Sequence, residues 1–594
     1  MAAKIASERI LNHHPFRMMI DPVTGFETIG QGSAGGKAQG LGLVRGLLQA
    51  SVELRERYPQ VQIDIPATAV IACGGFVAYL QENDLARLAS TDLSDQELER
   101  LFLDGHLSEP LKLALGAYLE KVHTPLAVRS SGMLEDLHYH AYAGLYRTFM
   151  LSNDQPDPAQ RLDRLIEAVK LVYASTFFEG PRAYARRVGH RLDTCAMAVI
   201  IQPVVGDRHG DYFYPAISGV AQSRNYYPLG GLRAEEGLAT IALGLGKQVV
   251  SGERALRFSP RYPKRLVQRS SAQEVLDFAQ REFYAVEMGT EISWRRHGRD
   301  HLVRRPVSEA LDETPVQMLA GTYVPAEHRI RDTIQAQGQR VLTFANVLKY
   351  DLFPLAAILR DLLALGEKAL GPVEIEFAVN LACDGSARHQ FYLLQMRPMT
   401  ARQEGIEVTL AAEERDQALC YSCNAMGNVP AEQIGDIVYI KPDAFDPGRT
   451  REIARCVAQI NADLAGRGHH YLLVGPGRWG SADPWLGIPV RWGDISNVAA
   501  IVETVSEKLR AEPSQGAHFF HNMTALGISY FNISPGAPDF FDWRWLTAQP
   551  IALENEYAAH VRLSRPLVVK VDGRSSSGLI KIEDRTGDAD KTRD

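Results

Sequence analysis

Apolar residues recur with two different periods along this chain, and the changes of period mark its elements. Leu162, Leu165, Ile166 and Val169 stand at helical spacing, which predicts amphipathic helix across Pro158–Val188. Similar spacing predicts helix over Thr91–Leu119, Arg449–Leu464 and Ser496–Leu509. Short apolar runs predict buried strands at Ile65–Cys73, Pro125–Val128, Asp436–Ile440 and Tyr471–Val474. A GGF turn after the first run leads into a predicted helix, Val77–Asn83. Cys195–Val205 and Ala216–Gln222 read as strands joined by a polar turn. Glu374–Ala378 and Phe391–Gln395 alternate as paired strands, with Glu376, Gln395 and Arg397 on one face. Val568–Leu579 reads as a strand and turn, and the charged end Glu583–Asp594 as a frayed tail.

Composition narrows the function without choosing it. A chain of 594 residues suggests about three to five domains or subdomains. The net charge of −7, with basic residues scattered, gives no electrostatic case for nucleic acid or an anionic membrane. No apolar run approaches the ~18 residues of a membrane span. The opening MAAKIASERILNHH lacks the apolar core of a secretory signal, so a cytoplasmic location is expected. Six cysteines include one C-x-x-C, Cys420 and Cys423, with no second pair at zinc-ribbon spacing. Reduced cytosolic thiols are the expectation there, and a redox or half-metal role the alternative.

Several stretches carry chemistry. GQGSAGGKAQG (Gly30–Gly40) is a glycine-dense turn before a predicted helix, Ala38–Ala50. Such a turn lets backbone N–H groups approach an anion, and Lys37 would bring a positive charge. Otherwise it is a flexible loop with an exposed lysine. In VRSSGMLEDLHYHAYAGLYRTF (Val128–Phe149), Arg129, Ser130 and Ser131 follow a strand end, Glu135 and Asp136 come next, and Gly144 and Thr148 lie downstream. An arginine with hydroxyls beside it can hold a polyphosphate. The same letters also suit a capped helix start. Glu376 is an oxygen ligand of the kind hard divalent ions prefer, with Gln395 beside it. Arg397 suits a phosphate-charge role. Alone, that hairpin also reads as a polar surface ladder.

VRSSGMLEDLHYHAYAGLYRTF resembles the nucleotide-binding signature of the phosphoenolpyruvate synthase and pyruvate phosphate dikinase family. GGKAQGLGLV (Gly35–Val44), GLGKQVVSG (Gly244–Gly252) and IEFAVN…FYLLQMRPMT (Ile375–Thr400) resemble three further family stretches, in the same order. The resemblance runs from about Gly30 to Thr400 and implies an α/β fold. Specifically, it implies an ATP-grasp module of two α+β lobes that clamp ATP, followed by a smaller α/β C-terminal domain. The expected boundaries are 1–190, 191–402 and 403–594. The implied cofactors are ATP and Mg²⁺. The implied nucleotide contacts are Lys37, Arg129, Gly144, Thr148, Gln202, Glu376, Gln395 and Arg397, with Glu376 and Gln395 at the metal. Lys247 departs from the family, which has glutamate there.

The family's phosphohistidine domain, with its T-S-H motif, and its phosphoenolpyruvate-binding barrel find no counterpart in the remaining residues. That tail has its own special stretch, GPGRWGSADPWLGIPVRW (Gly475–Trp492). Its glycines, Arg478 and Ser481 can cradle an anion, and its tryptophans can wall a ligand. A rigid, well-packed turn is the other reading. Asp483 is a candidate base. His518 and His521 share a face if helical, a spacing that permits metal binding, proton transfer or a structural role. His469 and His470 read as a surface pair. The expected function is an ATP-dependent phosphotransferase acting on an unidentified small-molecule or protein acceptor, with Arg129, Arg397 and Asp483 as catalytic candidates. The alternative is a nucleotide-binding regulatory or scaffold protein without turnover.

Overall fold

A computed structural model describes residues 18–583 apart from 22–23, 86, 89–90, 92, 134, 136–143, 192–195, 227, 229–231, 267–270, 290–298, 383–386, 400–407, 428, 507–508, 510–517, 535–537 and 574. Asp136 and all but the first residue of the expected frayed tail lie outside the described residues. The chain forms two compact units. One holds Met1–Val250 and Arg254–Met399, the other Ser251–Glu253 and Thr400–Asp594. The fold is mixed α/β throughout.

The first unit is built on two six-stranded sheets. One runs Met18–Ile20, Glu27–Ile29, Ala69–Ile71, Met197–Pro203, Leu126–Gly132, Thr148–Leu151 from edge to edge. The other runs Leu256–Phe258, Leu238–Ala242, Ile217–Gln222, Val373–Asn380, His389–Pro398, Val61–Asp64. Strands of both sheets therefore come from either side of residue 190. The strands at 197–203 and 217–222, expected to be joined by a turn, sit in different sheets. A hairpin, Asp207–His209 with Tyr212–Tyr214, separates them in a third sheet.

The helix Gly35–Ala50 begins three residues before its expected start, and the reason is a close approach. A Cβ on Gly35 would lie 1.7 Å from the carbonyl oxygen of Ser131, and one on Gly36 1.9 Å from that of Glu135. Gly35 also takes φ +77°, a conformation that a side chain disfavours. Ser131 Oγ then donates to Ala34 O at 2.9 Å and accepts from Ala38 N at 3.1 Å. Ala38, Leu41, Val44 and Leu48 form the buried stripe of this helix. Full burial of each leucine contributes about 2 kcal/mol. The result is a helix start clamped onto the strand Leu126–Gly132.

The second unit centres on a ten-stranded sheet. Four of its strands, Val429–Ile440, Tyr471–Pro476, Val498–Thr504 and Ser529–Asn532, pair in parallel. Val498–Thr504 corrects the helix expected over Ser496–Leu509. All seven of its residues are buried, as in a central parallel strand covered on both faces, so no amphipathic period survives to separate strand from helix. The helices Thr450–Gly466 and His518–Ala525 complete the pattern.

Candidate nucleotide site

The hairpin Val373–Asn380 with His389–Pro398 sets the geometry. Its register opposes Glu374 to Arg397 and Glu376 to Gln395, and strand alternation puts all four on one face. A bulge follows between Glu376 and Phe377. Glu374, Arg397 and Gln395 are each at most 3% exposed. Arg397 Nε donates to Glu374 Oε1 at 2.9 Å, and Nη2 donates to the same oxygen. Gln222 Nε2 holds the other carboxylate oxygen. Such a buried pair is stable only when its remaining lone pairs are also met.

Arg129 enters from the other sheet, near the middle of Leu126–Gly132. Its Nη1 donates to Leu394 O at 3.1 Å and its Nη2 to Gln395 Oε1 at 3.2 Å. The guanidinium also lies 3.7 Å from Glu376 Oε2. Lys37, in the first turn of Gly35–Ala50, sends its ammonium to the same strand. Nζ is 2.7 Å from Glu135 Oε1 and 3.3 Å from Ser130 Oγ. Glu135 is buried and also accepts from Ser130 Oγ at 3.0 Å and from Gly132 N at 2.7 Å. Arg129, Glu376 and Gln395 thus meet at one hairpin, with Arg397 next in line, and Lys37 meets Ser130, the residue after Arg129. Each of the three cations meets a carboxylate.

The remaining expected contacts are more scattered. Thr148 is the cross-strand neighbour of Arg129 and is exposed. Gly144 is exposed, with φ +66°. Gln202 stands opposite Ala127 in the same sheet, but it is buried and its Nε2 donates to Thr68 Oγ1 at 2.9 Å. Lys247 opens the short helix Lys247–Val250 and places its ammonium 5.2 Å from the centre of the Tyr284 ring. Sequence reasoning missed Glu374 and Gln222 and gave Glu135 no role. The signal for Glu374 was present, since it stands two residues before Glu376 and therefore on the same face.

Glu376 and Gln395 supply one carboxylate and one amide oxygen side by side, a hard donor set suited to Mg²⁺. Among the described residues no group of three or more His, Cys, Asp or Glu side chains could hold a metal ion. Mg²⁺ commonly completes its coordination with phosphate oxygens and water, which this donor set would leave room for.

In the second unit the turn at Gly475–Trp492 is tightly packed. Trp479 and Trp492 are buried, whereas Trp485 is 57% exposed. The donors expected to cradle an anion meet backbone carbonyls. Arg478 Nη1 and Ser481 Oγ both donate to Gly252 O at 3.0 Å, and Ala482 N donates to Ser251 O at 3.1 Å. Asp483 Oδ1 accepts from Trp485 N at 2.9 Å, closing the turn locally. Beneath it, buried Glu503 accepts from Trp479 N at 3.0 Å, from Asn532 Nδ2 at 3.4 Å and from the Tyr530 hydroxyl.

At the start of the parallel strands, Asp436 meets His560 Nε2 at 2.7 Å and His469 Nδ1 at 3.3 Å. His518 and His521 do share the helix His518–Ala525. Cys420 and Cys423 are free thiols, and burial pushes Cys420 far above its ordinary pKa.

Sheets, clamped helix and charged hairpin define a mixed α/β, ATP-grasp-like nucleotide-binding module. The chain belongs to the pyruvate phosphate dikinase, AMP/ATP-binding domain family, which matches residues 31–418. It is similar to an uncharacterized phosphotransferase, YvkC, of Bacillus subtilis, at 23% identity over 59% of this chain and 33% of that protein. It is also similar to a phosphoenolpyruvate synthase of Deinococcus radiodurans, at 28% identity over 37% of this chain and 26% of that protein. The matched region thus spans about a third or less of these relatives. Among the described residues no helix is long and apolar enough to cross a membrane.

Proposed function

We propose that this protein is an ATP-dependent phosphotransferase that binds Mg-ATP in its first unit. The observation that carries the reading is the insertion of Arg129 at the Glu376–Gln395 pair, with Lys37 on the adjoining Ser130 of the same strand. Phosphoryl transfer depends mainly on positioning and charge neutralisation. Lys37, Arg129 and Arg397 offset phosphate charge. Gly144 and Thr148 border the phosphates, and Gln202 borders the base. Glu376 and Gln395 hold Mg²⁺, which when bound supplies further neutralisation of the phosphate oxygens. The second unit presents the acceptor.

The test is incubation with Mg²⁺, ATP labelled separately at the β and γ phosphates, and a pool of small molecules and proteins. Transfer of one label to an acceptor, with stoichiometric ADP or AMP, is the expected result. Tight ATP binding with no turnover for any acceptor would count against it. That outcome would favour a nucleotide-sensing role, a reading to which Lys247 in place of the family's glutamate lends some weight. Glu376→Gln separates the two. It abolishes turnover in a transferase, whereas in a sensor it changes nucleotide-dependent partner binding.

A further inference from the structure

Glu135 has no part in the nucleotide contacts set out above, yet it is the acidic group closest to Lys37. Its carboxylate is 2% exposed and the lysine side chain 13%. The pair is therefore only lightly screened by water, and a charge-assisted bond of this kind is strong. Among the described residues Lys37 has no other ion-pair partner. Ser130 Oγ sits between the two groups, 3.3 Å from the ammonium and 3.0 Å from the carboxylate.

The carboxylate is held independently of the lysine. Oε2 accepts from Gly132 N at 2.7 Å, and Oε1 accepts from Ser130. The backbone of Glu135 is held as well, because the carbonyl of its own residue lies against Gly36. The acid is fixed and the lysine is the moving partner. When the lysine engages a phosphate, Glu135 keeps two donors and is not left bare. Its negative charge nonetheless stays beside the incoming anion and competes for the same ammonium.

We propose that Glu135 is a built-in competitor for Lys37, a specificity-determining residue that sets how strongly the site responds to the charge of the polyphosphate. With Glu135 present, Lys37 is parked and oriented, and a weakly charged ligand gains nothing from it. A triphosphate draws the ammonium away from Glu135 or shares it. The inference rests on ATP binding in this unit, and Glu135 acts through Lys37 rather than on the nucleotide.

The experiment is calorimetric titration of the full chain and of Glu135→Gln with ATP and, separately, adenosine, at two salt concentrations. Gln is isosteric and retains an acceptor for Gly132 or Ser130, so folding is checked by matched thermal unfolding. The expected result is a roughly tenfold tighter ATP affinity in the variant, unchanged adenosine affinity and a steeper salt dependence. Adding Lys37→Met to Glu135→Gln removes the gain. Should Glu135→Gln fail to fold, Glu135→Asp withdraws the carboxylate by one methylene and shifts ATP affinity in the same direction by less. A purely structural Glu135 would weaken ATP and adenosine together. That result, or unchanged or weakened ATP affinity alone, overturns the proposal. Absence of ATP binding to the unaltered chain would instead overturn the parent reading.

Discussion

The two units surround their buried and half-buried carboxylates with different partners. In the first, Glu135, Glu374 and Glu376 each face a cation: Lys37, Arg397 and Arg129. In the second, Glu503 is met by a backbone N–H, a phenol and an amide, and Asp436 by two imidazoles. An ion pair can change partners when a charged ligand arrives. A carboxylate that accepts from the backbone, a phenol and an amide fixes the turn and strands that supply those donors. The ion pairs of the first unit are the ones a charged ligand would compete for.

The largest effect expected from this contrast is on stability. Glu374→Gln leaves Arg397 buried without its counter-ion and should cost about 3–5 kcal/mol in urea unfolding, with part recovered by adding Arg397→Met. Glu503→Gln keeps one acceptor for the Trp479, Tyr530 and Asn532 donors, so about 1–2 kcal/mol is expected. Equal costs at the two positions would erase the contrast.

Asp300 gives a pH-dependent version. Burial raises its carboxyl to about 6, although Met150 N and Leu302 N both donate to its Oδ1. A folded-state value above the unfolded one means the folded chain binds the proton more tightly. The carboxylate is therefore a liability above pH ~6 that fades as pH falls towards 4. Asp300→Asn retains the accepting oxygen. It should stabilise the protein by about 1 kcal/mol at pH 7, since the residue keeps some solvent contact, and by nothing near pH 4. Thermal unfolding at both values checks the sign. The smallest effect is expected at partly exposed His469, where His469→Gln should change stability by less than about 1 kcal/mol, because His560 still holds Asp436.

Parts of this arrangement were legible in the sequence for physical reasons. Alternation alone places Glu376, Gln395 and Arg397 on one hairpin face, and the glycines at 35 and 36 announce a backbone approach that nothing larger permits. What stayed hidden was pairing across long separations. No local pattern tells that Arg129 reaches a hairpin 265 residues away. Nor does one tell that Arg478 and Ser481 each donate to Gly252 O. Val498–Thr504 was misread because burial on both faces removes the period that identifies a strand.

The central claim, that Mg-ATP is gripped where Arg129 meets the Glu376–Gln395 hairpin, is tested most directly by calorimetric titration of ATP with Mg²⁺ into the full chain and into Arg129→Ala. The account predicts one saturable site in the unaltered chain and at least a roughly tenfold weaker affinity in the variant, with its unfolding transition preserved. No heat of binding in the unaltered chain, or equal affinity in both, would contradict it.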